Sequence, residues 1–367
     1  MSSVVKRASG LLGILVWSFG SAAWAEEPRI TAQQCIERGI AHFNQNDKPA
    51  ALRDFTKGVE LEPRNTLALR WQAAALRDVG DNQSAEEKLT QAIKINPYEQ
   101  WTYVDRGNLR KSLNYLDGAL VDYSKAIEIS PKDAELYDYR GNAYLAKGDW
   151  AAALADLAKA VEFDPQNAEN HNDLGVALNR SGEIAKSIDA YNKAIELDPK
   201  FKLPYKNRAL AREQLKDWSG AIADLNKVIE LDPGDKSHYA NRADARHQQG
   251  DLKGALADVD KALRIDPGYP WALEIRGYLE LEQGNALAAA ADLSRVLRDF
   301  PRDAECLMNR GLAVLQMGQK DMAQKDFDAA VRLQPELKDR IADATRKVHT
   351  SAKLVTGRTA APTPSAR

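Results

Sequence analysis

The chain has 367 residues, 44% apolar and 28% charged, with a formal net charge of −2 at pH 7. That balance is ordinary for a globular protein. It excludes a whole-chain positive field of the kind that draws in nucleic acid, so no nucleic-acid partner is expected. Two cysteines, Cys35 and Cys306, are too few for a disulfide scaffold. Both fall on apolar helix faces, which predicts buried free thiols.

The first 25 residues differ from the rest. Lys6 and Arg7 are followed by an apolar run from Leu11 to Phe19, and Ala23 and Ala25 flank Trp24 just before Glu26. A short basic region, an apolar core and small residues before a cut form a secretory signal pattern. The expected cleavage is after Ala25. The apolar core is too short to span a bilayer, which takes about 20 residues. Lys6–Arg7 is not a twin-arginine pair, so export in the unfolded state is expected. No cysteine follows the cut to carry a lipid. The mature chain keeps 49 basic and 53 acidic residues, a net charge of −4. No mature segment is apolar enough to be a membrane span. The expected location is periplasmic or secreted, and residues 26–31 form a short lead.

From residue 32 the chain repeats. Pro63, Pro97, Pro131, Pro165, Pro199, Pro233, Pro267, Pro301 and Pro335 are each 34 residues apart. With proline as position 32, nine units run over 32–337. Position 8 holds only glycine or alanine, from Gly39 to Gly311, and position 20 only alanine or serine, from Ala51 to Ala323. Position 28 is always Val, Ile or Leu, and position 24 is aromatic or aliphatic. Apolar residues recur at spacings of 3 and 4 on both sides of a break near positions 14–16, which predicts two amphipathic helices per unit. Gly148, Gly182 and Gly250 suit helix ends, Asp133 and Asp303 suit helix starts, and Pro270 suits a first turn. The small columns let the paired helices approach backbone to backbone.

This pattern resembles the tetratricopeptide repeat (TPR) family, in its exported bacterial form. The resemblance implies an all-α fold: a right-handed α-solenoid of about nine 34-residue helix-turn-helix TPR units, with the first helices lining a concave groove. A single unit cannot bury its own apolar face, so a core continuous along the stack is expected. Residues 338–353 read as a capping helix, with Leu337, Ile341 and Val348 as a narrow apolar stripe. Residues 354–367 read as a disordered tail.

Position 7 is arginine and position 23 aspartate in seven units, and neither in the second and fifth. Losing both is easier than stranding one charge in a half-buried place. The pattern predicts pairs within each unit, such as Arg140–Asp156, within about 4 Å. The alternative is a row of arginines lining a groove for an acidic ligand.

No catalytic, cofactor-binding or metal motif stands out. His42, His171, His238, His247 and His349 show no ligand spacing, and there is no Ser-His-Asp or Cys-His arrangement. A non-enzyme without cofactors is expected.

In the TPR family, positions 2, 5, 9 and 12 face the groove, with position 6 nearby. The resemblance makes Trp71, Trp101, Asn108, Tyr139, Asn142, Lys206, Asn207, Asn241, Trp271 and Asn309 the candidate partner-binding residues. Asparagine amides can hold an extended peptide, and Trp and Tyr are frequent binding anchors. For Trp101 and Trp271, packing on the preceding unit is an equal alternative. Trp150 and Trp218, at position 17, read as core. Position 2 is never basic, so the two-carboxylate clamp of some relatives is absent. The expected function is a cell-envelope scaffold holding a protein or peptide segment. The alternative is an envelope-polymer or outer-membrane assembly accessory that touches peptidoglycan or polysaccharide. The sequence assigns no oligomeric state.

Overall fold

The computed structural model describes residues 30–357. The expected signal segment and residues 358–367 lie outside it. Within it, every 34-residue period folds as two antiparallel helices, and position 1 opens the first helix in each, from Ala32 to Ala304. The periods divide into two compact units, parted between Asp198 and Pro199. The first unit holds the hairpins Ala32–Asn44/Lys48–Leu61, Thr66–Asp78/Asn82–Ile95, Gln100–Ser112/Leu116–Ile129, Ala134–Lys147/Trp150–Phe163 and Ala168–Arg180/Ile184–Leu197. The second holds Lys202–Gln214/Trp218–Leu231, Lys236–Gln249/Leu252–Ile265, Pro270–Glu282/Ala286–Asp299 and Ala304–Gln316/Lys320–Leu333, then Leu337–Gly357. That last helix runs past residue 353.

The ends of the helices follow from side-chain chemistry. Asp133 and Asp303 accept backbone N–H bonds from Glu135 and Cys306, which satisfies donors that a first turn leaves open. Position 15 turns each hairpin with a positive φ in every described period: six glycines, Asn46, Asn114 and Lys216. Lys216, at φ 58°, carries a side chain where the left-handed region costs an L-residue about 1–2 kcal/mol. Tyr103, Tyr137, Tyr205 and Tyr239, all at position 4, donate their hydroxyls to the carbonyl of the preceding period's proline. They fix each hairpin to the loop before it.

The glycines of position 8 do more than bring two backbones together. A Cβ on Gly175 would lie 2.5 Å from a ring carbon of Tyr191, and one on Gly39 the same distance from Phe55. All four aromatic residues of position 24 (Phe55, Tyr123, Tyr191 and Phe327) face a glycine, whereas Ala73, Ala209 and Ala243 face Leu89, Leu225 and Val259. The space freed by the missing Cβ is filled by the ring, or by Leu157 and Leu293 at Gly141 and Gly277.

The Arg–Asp pairing holds in all seven units that carry both residues. Nε and Nη2 of Arg38, Arg106, Arg140, Arg208, Arg242, Arg276 and Arg310 donate to the two oxygens of Asp54, Asp122, Asp156, Asp224, Asp258, Asp292 and Asp326, at 2.5–3.0 Å. The aspartates are buried. Two further ties were not foreseen. Position 11 adds a second guanidinium to the same carboxylate from Arg110, Arg212 and Arg246, at 2.7–2.9 Å. The spare Nη1 reaches the previous repeat's second helix, at Thr90 from Arg106, Ser124 from Arg140 and Asn226 from Arg242.

Some expectations fail. The core is not one continuous body. In the second unit a large cluster runs from Tyr239 to Ile341 beside a small one around Ala209 and Leu225, and the first unit's core is split into smaller clusters. Polar residues such as Gln72, Thr102, Asn170 and Asn172 are buried among the apolar ones. Trp150 is 37% exposed rather than core, because it sits in the first turn beside the hairpin loop. Cys35 and Cys306 are buried free thiols, as expected.

Two stability outcomes follow. Asp156→Ala strands the Arg140 guanidinium and is expected to cost about 3 kcal/mol in urea unfolding. Adding Arg140→Leu, the residues of repeat five, should restore most of that loss; strict additivity would disprove the latch. Gly175→Ala should cost about 1–3 kcal/mol by overpacking, and adding Tyr191→Leu should recover part of it.

Candidate functional site: the first-helix face

Within each unit, first helices of successive repeats lie side by side, and polar contacts between them mark a common face. In the first unit Arg70 Nε donates to Asp105 Oδ2 at 2.7 Å, and Asn142 Nδ2 donates to Asp173 at 2.7 Å and to Asp138 at 3.1 Å. In the second unit the Tyr278 hydroxyl donates to Asp244 at 3.0 Å, and His247 Nε2 lies 3.1 Å from Glu282. The contacting residues sit at positions 5, 6, 9, 12 and 13 of the first helices.

The electrostatics of the two units differ. In the first, burial and the charge of Asp173 raise the Asp138 carboxyl well above the usual carboxylate range. Burial lowers the Lys111 ammonium, and Asp138 and Asp173 oppose that shift. Here acid and base are balanced. In the second unit Glu213 is pushed up to about 7 by burial and then by Asp244. Glu274 is also pushed up to about 7, by burial and then by Asp303 and Glu305. Among the described residues, neither Glu213 nor Glu274 has a basic partner.

The ten sequence candidates divide. Trp71 is core: 1% exposed, stacked on Phe55 at 5.5 Å and edge-on to Phe43 at 5.8 Å. Trp101, 8% exposed, joins the apolar cluster of repeats three and four. Neither ring is available as a groove anchor, because each fills space left by a neighbouring hairpin. Trp271 is 40% exposed and remains on the face. Asn108 is half-buried and accepts the Tyr123 hydroxyl at 2.8 Å. Tyr139, also half-buried, stacks on Tyr123 at 5.9 Å. Asn142 is spent on the two aspartates. Lys206 and Asn207 are half-buried on the first helix of repeat six. Asn241 and Asn309 are half-buried too, and among the described residues neither amide has a hydrogen-bond partner. Trp271 is thus exposed and Asn241 and Asn309 half-buried, each on a first helix of the second unit.

Sequence reasoning missed the carboxylates Asp138, Asp173, Glu213, Asp244 and Glu274. They stand in the columns already expected to face the groove, so reading acids down those columns would have found them.

Two groups of side chains have ligand atoms close enough for a metal ion: Asp232, Asp235 and His238, and Glu274, Asp303 and Cys306. No helix of the described residues is long and apolar enough to cross a membrane.

Family profiles match along nearly the whole repeat region. Those described as tetratricopeptide repeat match residues 36–99, 206–270, 276–338 and 168–201, and one described as TPR repeat matches 107–148 and 141–182. The chain belongs to the tetratricopeptide repeat family. No curated protein sequence matches it. Among solved structures, a TPR protein from Parabacteroides merdae is similar with a TM-score of 0.54 and 21% identity, over 68% of this chain and 98% of that one. PilF of Pseudomonas aeruginosa gives 0.50 and 20%, over 56% of this chain and 94% of that one. The Cut9–Hcn1 hetero-tetramer of APC/C gives 0.54 and 15%, over 86% and 76%. At these identities the likeness is one of fold. This TPR chain is a repeat scaffold of the kind built for protein interaction.

The raised carboxyls predict a pH effect. Glu213 and Glu274 bind their protons more tightly folded than unfolded, where the ordinary value is 4.5. Their burial therefore costs nothing below about 4.5 and weakens the fold as pH rises through about 7. Glu213→Gln with Glu274→Gln should raise the thermal midpoint at pH 8 and leave it nearly unchanged at pH 5. Equal shifts at both pH values would refute this.

Proposed function

We propose that this TPR protein is a non-catalytic scaffold of the bacterial cell envelope whose first-helix face holds an extended segment of a partner protein. One observation carries the reading. On the second unit, the unspent amides of Asn241 and Asn309 share a face with the exposed Trp271 ring. Each amide offers two donors and an acceptor oxygen, which matches the alternating groups of a peptide backbone. Packed helices stand about 8–10 Å apart, and an extended chain advances about 3.3 Å per residue. One repeat therefore spans about three residues of ligand. Trp271 supplies a large apolar surface with few rotamers to freeze, as binding anchors do.

Export rests on the signal pattern of residues 1–25, which delivers the mature chain to the periplasm or beyond. The titratable groups lie spread along an open face, an arrangement suited to recognition. The exposed Trp271 ring also suits stacking on a sugar, which favours envelope glycan as the second reading.

The test is crosslinked capture from envelope extract with the full chain and a Trp271→Ala/Asn241→Ala/Asn309→Ala variant. The wild type should retain one protein in near-stoichiometric amount, and the variant should retain at least about tenfold less. Equal capture by both would remove this face from the function; glycan retention without protein would favour the second reading. N-terminal sequencing of the exported protein should begin at Glu26, and a start at Met1 would refute processing.

A further inference from the structure

The loop between repeats six and seven reads Asp232-Pro233-Gly234-Asp235-Lys236-Ser237-His238. His238 lies in the first turn of the helix Lys236–Gln249 and is 5% exposed. Its Nε2 is buried and has no hydrogen-bond partner among the described residues. A buried nitrogen left unpaired costs about 1–3 kcal/mol, so it calls for a ligand. Nε2 points at two carboxylate oxygens, Asp235 Oδ2 at 3.6 Å and Asp232 Oδ2 at 3.8 Å, both too far for hydrogen bonds. All three atoms lie within 4.8 Å of one another. The geometry points to a divalent transition-metal site, of the zinc class, formed by His238 Nε2, Asp235 Oδ2 and Asp232 Oδ2.

Spacing supports this. The imidazole nitrogen lies 3.6 and 3.8 Å from the two carboxylate oxygens, close to the separation of two ligands each about 2.1 Å from one zinc ion. One imidazole and two carboxylates suit zinc or cobalt better than calcium or magnesium, which take oxygen alone. The ring's other nitrogen, Nδ1, lies 3.5 Å from the Ser237 hydroxyl, which can accept its proton while Nε2 holds an ion. Asp235 is already oriented, because its Oδ1 accepts the Ser237 N–H at 2.8 Å and leaves Oδ2 for the ion. The two carboxylates are 31% and 43% exposed, so the ion has an entry path and a fourth position open to water.

The next loop is an internal control. There Asp266 pairs with Lys236 at 2.6 Å, as Asp232 pairs with Lys202, but Tyr269 and Ala272 stand where Asp235 and His238 would be. The Asp–Lys pair thus belongs to the repeat; the histidine and second aspartate are additions. Lys202 competes with the ion, since its ammonium rests on Asp232 Oδ2. The site would clamp this loop, joining two hairpins of the second unit.

The experiment is Zn2+ titration of untagged full-length protein by calorimetry, with Co2+ absorption as a second readout. The wild type should bind one ion at this site, and Zn2+ should raise its thermal midpoint. His238→Asn should abolish both effects. Asp235→Asn, which keeps the helix cap, should weaken binding at least about tenfold, and Lys202→Gln should tighten it. His42→Asn should leave Zn2+ binding unchanged. Zn2+ binding with the same stoichiometry in wild type and His238→Asn, or no binding to the wild type, would overturn the assignment. Unchanged affinity in Lys202→Gln would remove Asp232 from the ligand set.

Discussion

Seven of the nine described hairpins close on a charge pair that water only partly reaches. The planar guanidinium grips both carboxylate oxygens, so the pair fixes the angle and register of the two helices as well as their distance. A buried ion pair is not in itself a large source of stability, since desolvation offsets most of the attraction. Its role is to make the wrong register expensive. The third nitrogen extends that control to the preceding hairpin, as Arg140 Nη1 does at Ser124. Repeat two shows the two roles apart. Gln72 keeps the tie backwards, donating to Thr56 at 3.0 Å, while its Oε1 is left buried without a partner.

With the arginines committed inside the hairpins, the face of the first helices is released to vary. The first unit balances its face: Arg70 meets Asp105, and Lys111 lies near Asp138 and Asp173. The second unit leaves Glu213 and Glu274 uncompensated and Asn241 and Asn309 unspent. Groups held short of their preferred ionisation or hydrogen bonding store a free energy that a complementary ligand can release. That is the physical basis for placing partner recognition on the second unit's face.

The period, the helix starts, the caps at Asp133 and Asp303 and the Arg–Asp latch were all legible in the sequence, because each is a fixed position seen against its copies. The direction of a large ring was not. Trp71 and Tyr139 share position 6, yet Trp71 sinks between Phe43 and Phe55 while Tyr139 lies half-buried on Tyr123. Trp101 and Trp271 share position 2 with opposite exposures. The column fixes where a side chain leaves the helix; the void left by the neighbouring repeat decides where it goes. The raised carboxyls were hidden for the same reason, since Glu274 depends on burial and then on Asp303, in the loop after its own hairpin, and Glu305, on the next first helix.

A strict repeat turns every departure into a physical statement. Lys216 occupies a left-handed turn position that glycine or asparagine holds in every other described repeat. Phe, Tyr or Leu at position 24 goes with the room that position 8 provides. His238 stands at position 3, where the other repeats place residues from alanine to asparagine and cysteine. Packing accounts for an apolar or hydrogen-bonded residue there, such as Ala68, the buried Leu136, or Asn170, which donates to Ala160 O and Asp164 O. It does not explain an imidazole whose nitrogen meets only two carboxylates beyond bonding distance. Such a residue is held against the cost of its own burial, and the proposed ion between the three would remove that cost.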